Sequence, residues 1–390
     1  MNVSEMPVLE LYGPPRKRGQ IHGESLRGPI AVAIEAIKRE IGGNGDLSPD
    51  AYFDEFVGHC LQPPADDARL AAFRAELQGV ADGSNQRFVD IAALNLLDEE
   101  LWYGRNRRMA SPEAQRGTEG CGDRCSVIAI REDPDGRTLL AQNLDMSTWT
   151  EGLQAVLHVT VEQVGLEYYA FTTAGSVGAC GINSLGLALC VNSVPLLNCA
   201  RDGMPVAAIV REILECTSFE SAVRTLTARR HASGQCYTVA TRGQIGSFEC
   251  SASGAVPYRT WGRGDRLVHT NHPLASRDTS IVDAQREAGL AMGLPRFLFQ
   301  VPRNSLERQT QLEQLFGSND EVYDSGSVAS ALASTTDVAF PICRAGSEST
   351  RARNVGYTTG SVIWELGGSP VAHVAPGPPD RTAYRTLRFT

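Results

Sequence analysis

The chain has 390 residues, enough for one large domain or two ordinary ones around a sizeable core. Apolar content of 42% and charged content of 21% are those of a globular protein, and a net charge of −9 argues against the clustered cationic surface that nonspecific nucleic-acid binding requires. No window approaches the roughly 18–20 unbroken apolar residues of a membrane span, and the opening "MNVSEMPVLELYG" lacks the hydrophobic stretch of a secretory signal. The basic run "PPRKRG" (14–19) is short and isolated. Ten cysteines in such a chain read as free thiols in a cytoplasmic setting rather than as a disulfide frame.

Along the chain, residues 1–116 read as mostly helical. "ESLRGPIAVAIEAIKREIG" (24–42) has apolar residues at helical spacing and a terminal Gly suited to a left-handed cap. "DDARLAAFRAELQGVADG" (66–83) repeats that form, and "FVDIAALNLLDEELWYG" (88–104) predicts a third helix. A turn-rich stretch, "MASPEAQRGTEGCGDR" (109–124), then breaks the pattern, and from Cys125 the period changes to that of strands. "CSVIAIRED", the turn "PDGR" (134–137) and "TLLAQNLD" (138–145) form a hairpin. Further strands are expected at 153–163, 168–175, 186–194, 236–243, 245–253 and 265–273, and late ones at 337–345 and 361–375. One or two helices fall in 205–230 and another in 284–300. Gly, at 38 residues, favours many turns and close backbone approaches. The pattern fits an α+β layered domain of two sheets preceded by a helical segment.

Chemistry concentrates at "GCGDRCSVIAI" (120–130). Were the Arg124–Cys125 bond cut, Cys125 would carry a free α-amine beside its thiol. Such an amine has a pKa of about 7.7–8.0 and can accept the thiol proton without help from a histidine. A buried structural cysteine at a strand start is the bland alternative.

The surrounding residues resemble the acyl-CoA:6-aminopenicillanic acid acyltransferase (isopenicillin N acyltransferase) family. "RCSVIAI…GRTLLAQNLD" is similar to its Cys-Ser/Thr strand, Gly turn and closing Gln-Asn-x-Asp. "LYGPPRKRGQIHGESLR" (11–27), "TTAGSVGACGINSLGLALCVNSV" (172–194), "VHTNHPL" (268–274) and "PICRA" (341–345) resemble its other motifs, in the same order. The resemblance implies an N-terminal nucleophile hydrolase, an αββα four-layer sandwich made as a precursor that cuts itself before its cysteine. The expected chains are 1–124, a helical segment packed on the core, and 125–390, the catalytic unit. The resemblance makes Cys125 the nucleophile and Asp145 a carboxylate that orients its amine. Asn271 becomes an oxyanion donor, and Arg344 a cation that tunes the amine or holds a carboxylate. Asn183 and Asn192 are candidates for lining the pocket. Processing would involve Arg124, Cys125 and Ser126. The family commonly has Gly before its cysteine, where this chain has Arg124; Gly120–Cys121 is therefore the competing cut, although the strand pattern and Ser126 favour Cys125.

The implied activity is hydrolysis of the amide of a small N-acyl or aminoacyl amine through a thioester, with acyl-CoA-dependent transfer as the alternative. No cofactor is implied, acyl-CoA stays open as a co-substrate, and homo-oligomerisation stays open too. Among other readings, Cys121 and Cys125 with His269 and His272 supply four zinc-type ligands, but their spacing fits no usual zinc motif. "GSVG" (175–178) is no nucleophile elbow. "GACGINSLG" (178–186) leads into a strand rather than a helix, unlike a nucleotide loop. A non-catalytic protein that kept the fold would not be expected to keep Cys125, Asp145, Asn271 and Arg344 together.

Overall fold

A computed structural model describes residues 6–41, 47–62, 67–110, 125–132, 137–258, 265–294, 296–317, 321–345 and 356–389. Arg124 and Cys121 lie outside these described residues. The first part of the chain runs β1 (Val8–Leu11), α1 (Pro15–Ser25), α2 (Arg27–Ile41), α3 (Pro49–Cys60), α4 (Ala68–Ser84), α5 (Phe88–Leu94) and α6 (Leu97–Ala110). The hairpin β2 (Ser126–Glu132) and β3 (Arg137–Met146) follows, then β4 (Gln154–Val161), β5 (Leu166–Thr173), β6 (Cys180–Asn183) and β7 (Ala188–Ser193). Helices α7 (Val206–Leu214) and α8 (Phe219–Ala228) lead to β8 (Gln235–Thr241), β9 (Gln244–Ser251), β10 (Gly254–Tyr258) and β11 (Arg266–His269). Helices α9 (Ser280–Ala291), α10 (Arg303–Leu315) and α11 (Ser325–Leu332) precede β12 (Tyr357–Leu366), β13 (Val371–Ala375) and β14 (Arg385–Arg388).

Among the described residues the strands form two sheets. One has the order β1-β4-β5-β6-β7-β8-β9-β10, the other β11-β2-β3-β12-β13-β14. Strand alternation explains how they stack, since successive side chains point to opposite faces. Val127 and Ala129 of β2 and Leu140 and Leu144 of β3 pack against Ala188 and Cys190 of β7 and Phe171 of β5, filling the space between the sheets. The alternate residues Ile128, Ile130, Leu139 and Ala141 face Leu312 of α10 and Val328 and Leu332 of α11. The outer face of the first sheet, through Leu157, Tyr168 and Leu189, packs on α1–α5, α7 and α8. The result is an αββα four-layer sandwich. No described helix is long and apolar enough to cross a membrane, and the described cysteines are free thiols.

The expected helices and the hairpin are present, with instructive differences. The stretch expected as one helix over 88–104 breaks into α5 and α6 at Asn95, whose Nδ2 bonds the Ile91 and Gly175 carbonyls while Oδ1 accepts from Val177 N–H. The expected strand at 337–345 is irregular chain: Pro341 lacks an N–H for a ladder, and Cys343 and Arg344 bond out of register to Ser334 and Thr358. The single strand expected over 361–375 is a β12–β13 hairpin.

Helix α1, inside the "RKRGQIHGE" motif, is held by backbone contact. Gly19 and Gly23 abut α4 at Gly79 and Gly83; a Cβ on Gly19 would stand 1.9 Å from the Glu76 carbonyl oxygen, and one on Gly79 2.0 Å from that of Arg16. Such spacing admits only hydrogen. Gly79→Ala is expected to lower stability by about 3 kcal/mol, the upper end of overpacking costs, because rigid backbone must yield on both sides. Urea unfolding followed by circular dichroism measures this as a lowered midpoint with unchanged slope. His22, on the same face, accepts from Gly175 N–H. Burial, then the charge of Arg211, lowers its pKa to about 3, so it stays neutral.

Candidate active site

Cys125 stands immediately before β2, 93% buried with a relative exposure of 7%. Its carbonyl accepts a 2.7 Å hydrogen bond from Arg308 Nη1, which also lies 2.6 Å from Ser126 Oγ. The other arm of the same guanidinium, Nη2, donates to Asn271 Oδ1 at 2.8 Å, and Nε donates to Asn304 Oδ1 at 2.8 Å. One planar cation therefore ties the start of β2 to Asn271. An arginine can only donate, so the Asn271 atom facing it is the oxygen. That fixes the amide: Nδ2 points away and bonds the Ser193 carbonyl at 3.0 Å, leaving its second hydrogen for another acceptor.

The segment bearing Asn271 is braced from two directions. Ser305 Oγ accepts from Asn271 N–H at 2.8 Å and meets His272 Nδ1 at 2.8 Å, while Thr270 Oγ1 donates to the Ser305 carbonyl. Beyond it, the Glu249 carboxylate accepts from the backbone N–H of Leu274, Ala275 and Ser276 and contacts His269 Nε2 at 2.9 Å. Burial pushes the Glu249 pKa up, but these donors outweigh it and hold the group below its ordinary value. Burial likewise works against charge on His269, yet Cys236 and Glu249 carry its pKa up to about 10. These bonds, together with the one from His269 Nδ1 to the Thr270 carbonyl, commit both ring nitrogens to structure rather than to a metal.

Asp145 is fully buried on β3, where Thr358 Oγ1 donates to its Oδ1 at 2.6 Å. The same Thr358 oxygen accepts from the Arg344 N–H at 2.8 Å, so a single hydroxyl links Asp145 and Arg344. Arg344 is buried, and Gly356 stands so close that a Cβ there would lie 2.4 Å from its Nη1. In the β2–β3 register Ser126 faces Asn143, which puts Asp145 one residue beyond the level of Cys125. Cys125 and Asn271 are thus joined through Arg308, and Asp145 and Arg344 through Thr358, with Cys125 and Asp145 on the neighbouring strands of one hairpin.

The nucleophile candidate opens onto a cavity of about 90 Å³ whose walls include Leu144 and Met146 of β3, Val191 and Ser193 of β7, and Leu97 and Asp98 of α6. Residues on both sides of position 125 build it. Of the two asparagines expected to line the pocket, neither does. Asn183 sits at the far end of β6, its Oδ1 accepting from Leu185 and Leu187 N–H and its Nδ2 donating to the Leu214 and Cys216 carbonyls. It closes the β6–β7 turn onto α7. Asn192 alternates with Val191 and Ser193, so its side chain leaves the opposite face and donates to the His269 carbonyl at 3.2 Å. Arg308 was not foreseen from sequence, and neither was Asp98.

A four-layer sandwich with a cysteine at the head of a central strand, opening onto a cavity, defines an N-terminal nucleophile hydrolase fold, the framework of an enzyme that cleaves amides or transfers acyl groups. The profile of the acyl-coenzyme A:6-aminopenicillanic acid acyl-transferase family matches residues 131–351, a span holding Asp145, Asn271, Arg308 and Arg344, and the chain belongs to that family. It is 26% identical over 270 residues, 69% of this chain and 70% of the relative, to the 40 kDa form of acyl-coenzyme A:6-aminopenicillanic-acid-acyltransferase of Emericella nidulans. Among solved structures it is similar to a Caenorhabditis elegans N-acylethanolamine-hydrolyzing acid amidase ortholog, at 16% identity and a TM-score of 0.43 over 68% of this chain and 100% of that one. It is also similar to penicillin V acylase from Agrobacterium tumefaciens, at 13% identity and a TM-score of 0.37 over 68% and 86% of the respective chains.

Proposed function

We propose that the protein is a self-processing N-terminal-cysteine amidohydrolase that cleaves a small N-acyl or aminoacyl amine through a thioester. The observation that carries this reading is the shared guanidinium: Arg308 grips the Cys125 carbonyl and the Asn271 amide together, beside a cavity that Cys125 lines. In the mature enzyme the Cys125 α-amine takes the thiol proton and the sulfur adds to the substrate carbonyl. Asn271 Nδ2–H and backbone N–H groups hold the oxyanion, in the orientation Arg308 imposes. The C–N bond breaks as the α-ammonium returns its proton to the leaving amine. Water, deprotonated by the same amine, then attacks the thioester and releases the acid and the thiol. Asp145 orients the ammonium, and Arg344, whose backbone N–H shares the Thr358 hydroxyl with that carboxylate, is the cation that tunes it. Maturation uses the same sulfur: it attacks the Arg124 carbonyl, the C–N bond breaks to leave a thioester, and water hydrolyses it into chains 1–124 and 125–390.

The name of the Emericella relative favours one second reading, transfer of the acyl group between a CoA thioester and an amine. Hydrolysis is preferred because water is always available as acceptor. Purified protein is expected to show two chains on a denaturing gel, with masses fixing the cut at Arg124–Cys125 rather than at Gly120–Cys121. A panel of N-acyl amines, with and without acyl-CoA, is expected to release free amine without the CoA ester. An active protein that remains one full-length chain contradicts the proposal, and amine consumption only with acyl-CoA selects the transferase reading.

A further inference from the structure

Asp98 has no part in the chemistry above. It belongs to the first turn of α6, upstream of Cys125, yet lines the same cavity as that cysteine. Its Oδ1 accepts from the Ser193 hydroxyl and, at 2.9 Å, from Gln235 Nε2. Both donors are neutral. Among the described residues lining the cavity there is no Lys, Arg or His, and the remaining wall is largely apolar: Leu94, Leu97, Leu144, Val191 and Val206. No described ion pair includes Asp98.

A partly buried carboxylate in such a place loses hydration, and no cationic side chain among the described residues lining the cavity compensates for it. Desolvation indeed raises its pKa against the two hydrogen bonds. Its neighbour Glu99 responds to the same imbalance. That carboxyl turns to the Val206 N–H and the Ser233 hydroxyl, and its pKa is pushed up to about 8 by burial and then by the charge of Asp98. Besides the two hydrogen bonds to Asp98, the α6 N-terminus, a partial positive charge, offsets this. A helix start needs no acid inside a cavity to be capped; an exposed one serves. What would complete this site is a cation arriving with the ligand.

We propose that Asp98 is the subsite for an ammonium group on the substrate, making the enzyme selective for short acyl groups that carry a positive charge. The proposal rests on the reading of Cys125 as nucleophile and of this cavity as its acyl pocket. Asp98 and Cys125 line one cavity, so an ammonium held by the first lies close to a carbonyl attacked by the second. An α- or β-aminoacyl group places its charge at that range.

The test compares anilides sharing one leaving group: glycyl and β-alanyl against the neutral propanoyl and butanoyl compounds, in which a methyl replaces the ammonium. Wild-type enzyme is expected to favour the charged member of each pair. Asp98→Asn keeps an oxygen for Ser193 and Gln235, and is expected to lower the charged-over-neutral ratio of kcat/KM about a hundredfold, mainly through KM. An equal effect on both members, or a wild-type preference for the neutral ones, overturns the proposal. If wild type cleaves none of the four, the amidohydrolase reading fails with these acyl groups, and the subsite is judged by binding. β-Alaninamide must raise the wild-type melting temperature where butanamide does not, with the difference lost in Asp98→Asn; equal shifts refute the subsite.

Discussion

A chain carrying Cys125→Ala is expected to remain one uncut polypeptide of 390 residues and to release no amine from any substrate the wild type cleaves. Both outcomes follow from the removal of one sulfur. The substitution leaves the carbonyl that Arg308 Nη1 grips and deletes a single buried atom, so the fold should survive: losing a small part of a side chain costs on the order of 1 kcal/mol. Chemistry has no such reserve. No other described residue lining the cavity is a thiol, and of the two serines that line it with Cys125, Ser176 and Ser193, the second already donates to Asp98. Cys125→Ser separates the two steps. A hydroxyl is a far poorer nucleophile than a thiol, so slow cutting with residual amide turnover at least a thousandfold down is expected. Intact mass after days of incubation and a sensitive amine assay read the two quantities. A Cys125→Ala chain that still splits between 124 and 125 removes the basis of the proposed maturation.

How far the sequence disclosed this arrangement depends on what kind of side chain faces inward. The hairpin around Cys125 was legible because Val127, Ala129, Leu140 and Leu144 alternate with residues bound for the outer helices, and both faces are apolar. Asn271 and Arg344 were legible only as motif members, since nothing in their local pattern marks them. Helix α10, "RNSLERQTQLEQL", was not legible. Its buried face is Asn304, Ser305, Arg308, Gln309 and Leu312, a correct helical stripe made almost wholly of polar residues. Hydrophobic periodicity cannot register such a face. The same blindness hid α1, whose inward residues are Arg18, Gly19, His22 and Gly23. These helices are polar inside because they cover backbone ends and irregular segments, where carbonyls need donors and close approach needs glycine. Asp98 escaped notice for a related reason: an acid in a first helical turn satisfies the ordinary rule for helix starts, and only the cavity shows that it faces inward.

Arg308 is the residue whose loss should couple structure and catalysis most tightly. Arg308→Met strips donors from the Cys125 carbonyl, Ser126 Oγ, Asn271 Oδ1 and Asn304 Oδ1 at once. A buried acceptor left without a donor costs about 1–3 kcal/mol, so a loss of about 3 kcal/mol or more is expected, with cutting slowed or stopped. Arg308→Lys is the sharper experiment. It keeps the charge but replaces a planar fork by a single ammonium, which cannot reach both the start of β2 and Asn271 in the observed directions. Freed from its donor, the Asn271 amide can rotate, and the N–H aimed at the oxyanion is no longer held. A misplaced oxyanion donor costs on the order of a hundredfold in kcat while KM is nearly unchanged, because the loss falls on the transition state. A purely structural role predicts instead that stability and both kinetic constants fall together. The double mutant with Asn271→Ala decides between them. If Arg308 acts by orienting Asn271, the second substitution adds little to the first, and the deviation from additivity approaches the whole effect of the weaker single change. Fully additive losses would mean that the guanidinium and the amide work independently, and the shared clamp would lose its role in placing the oxyanion donor.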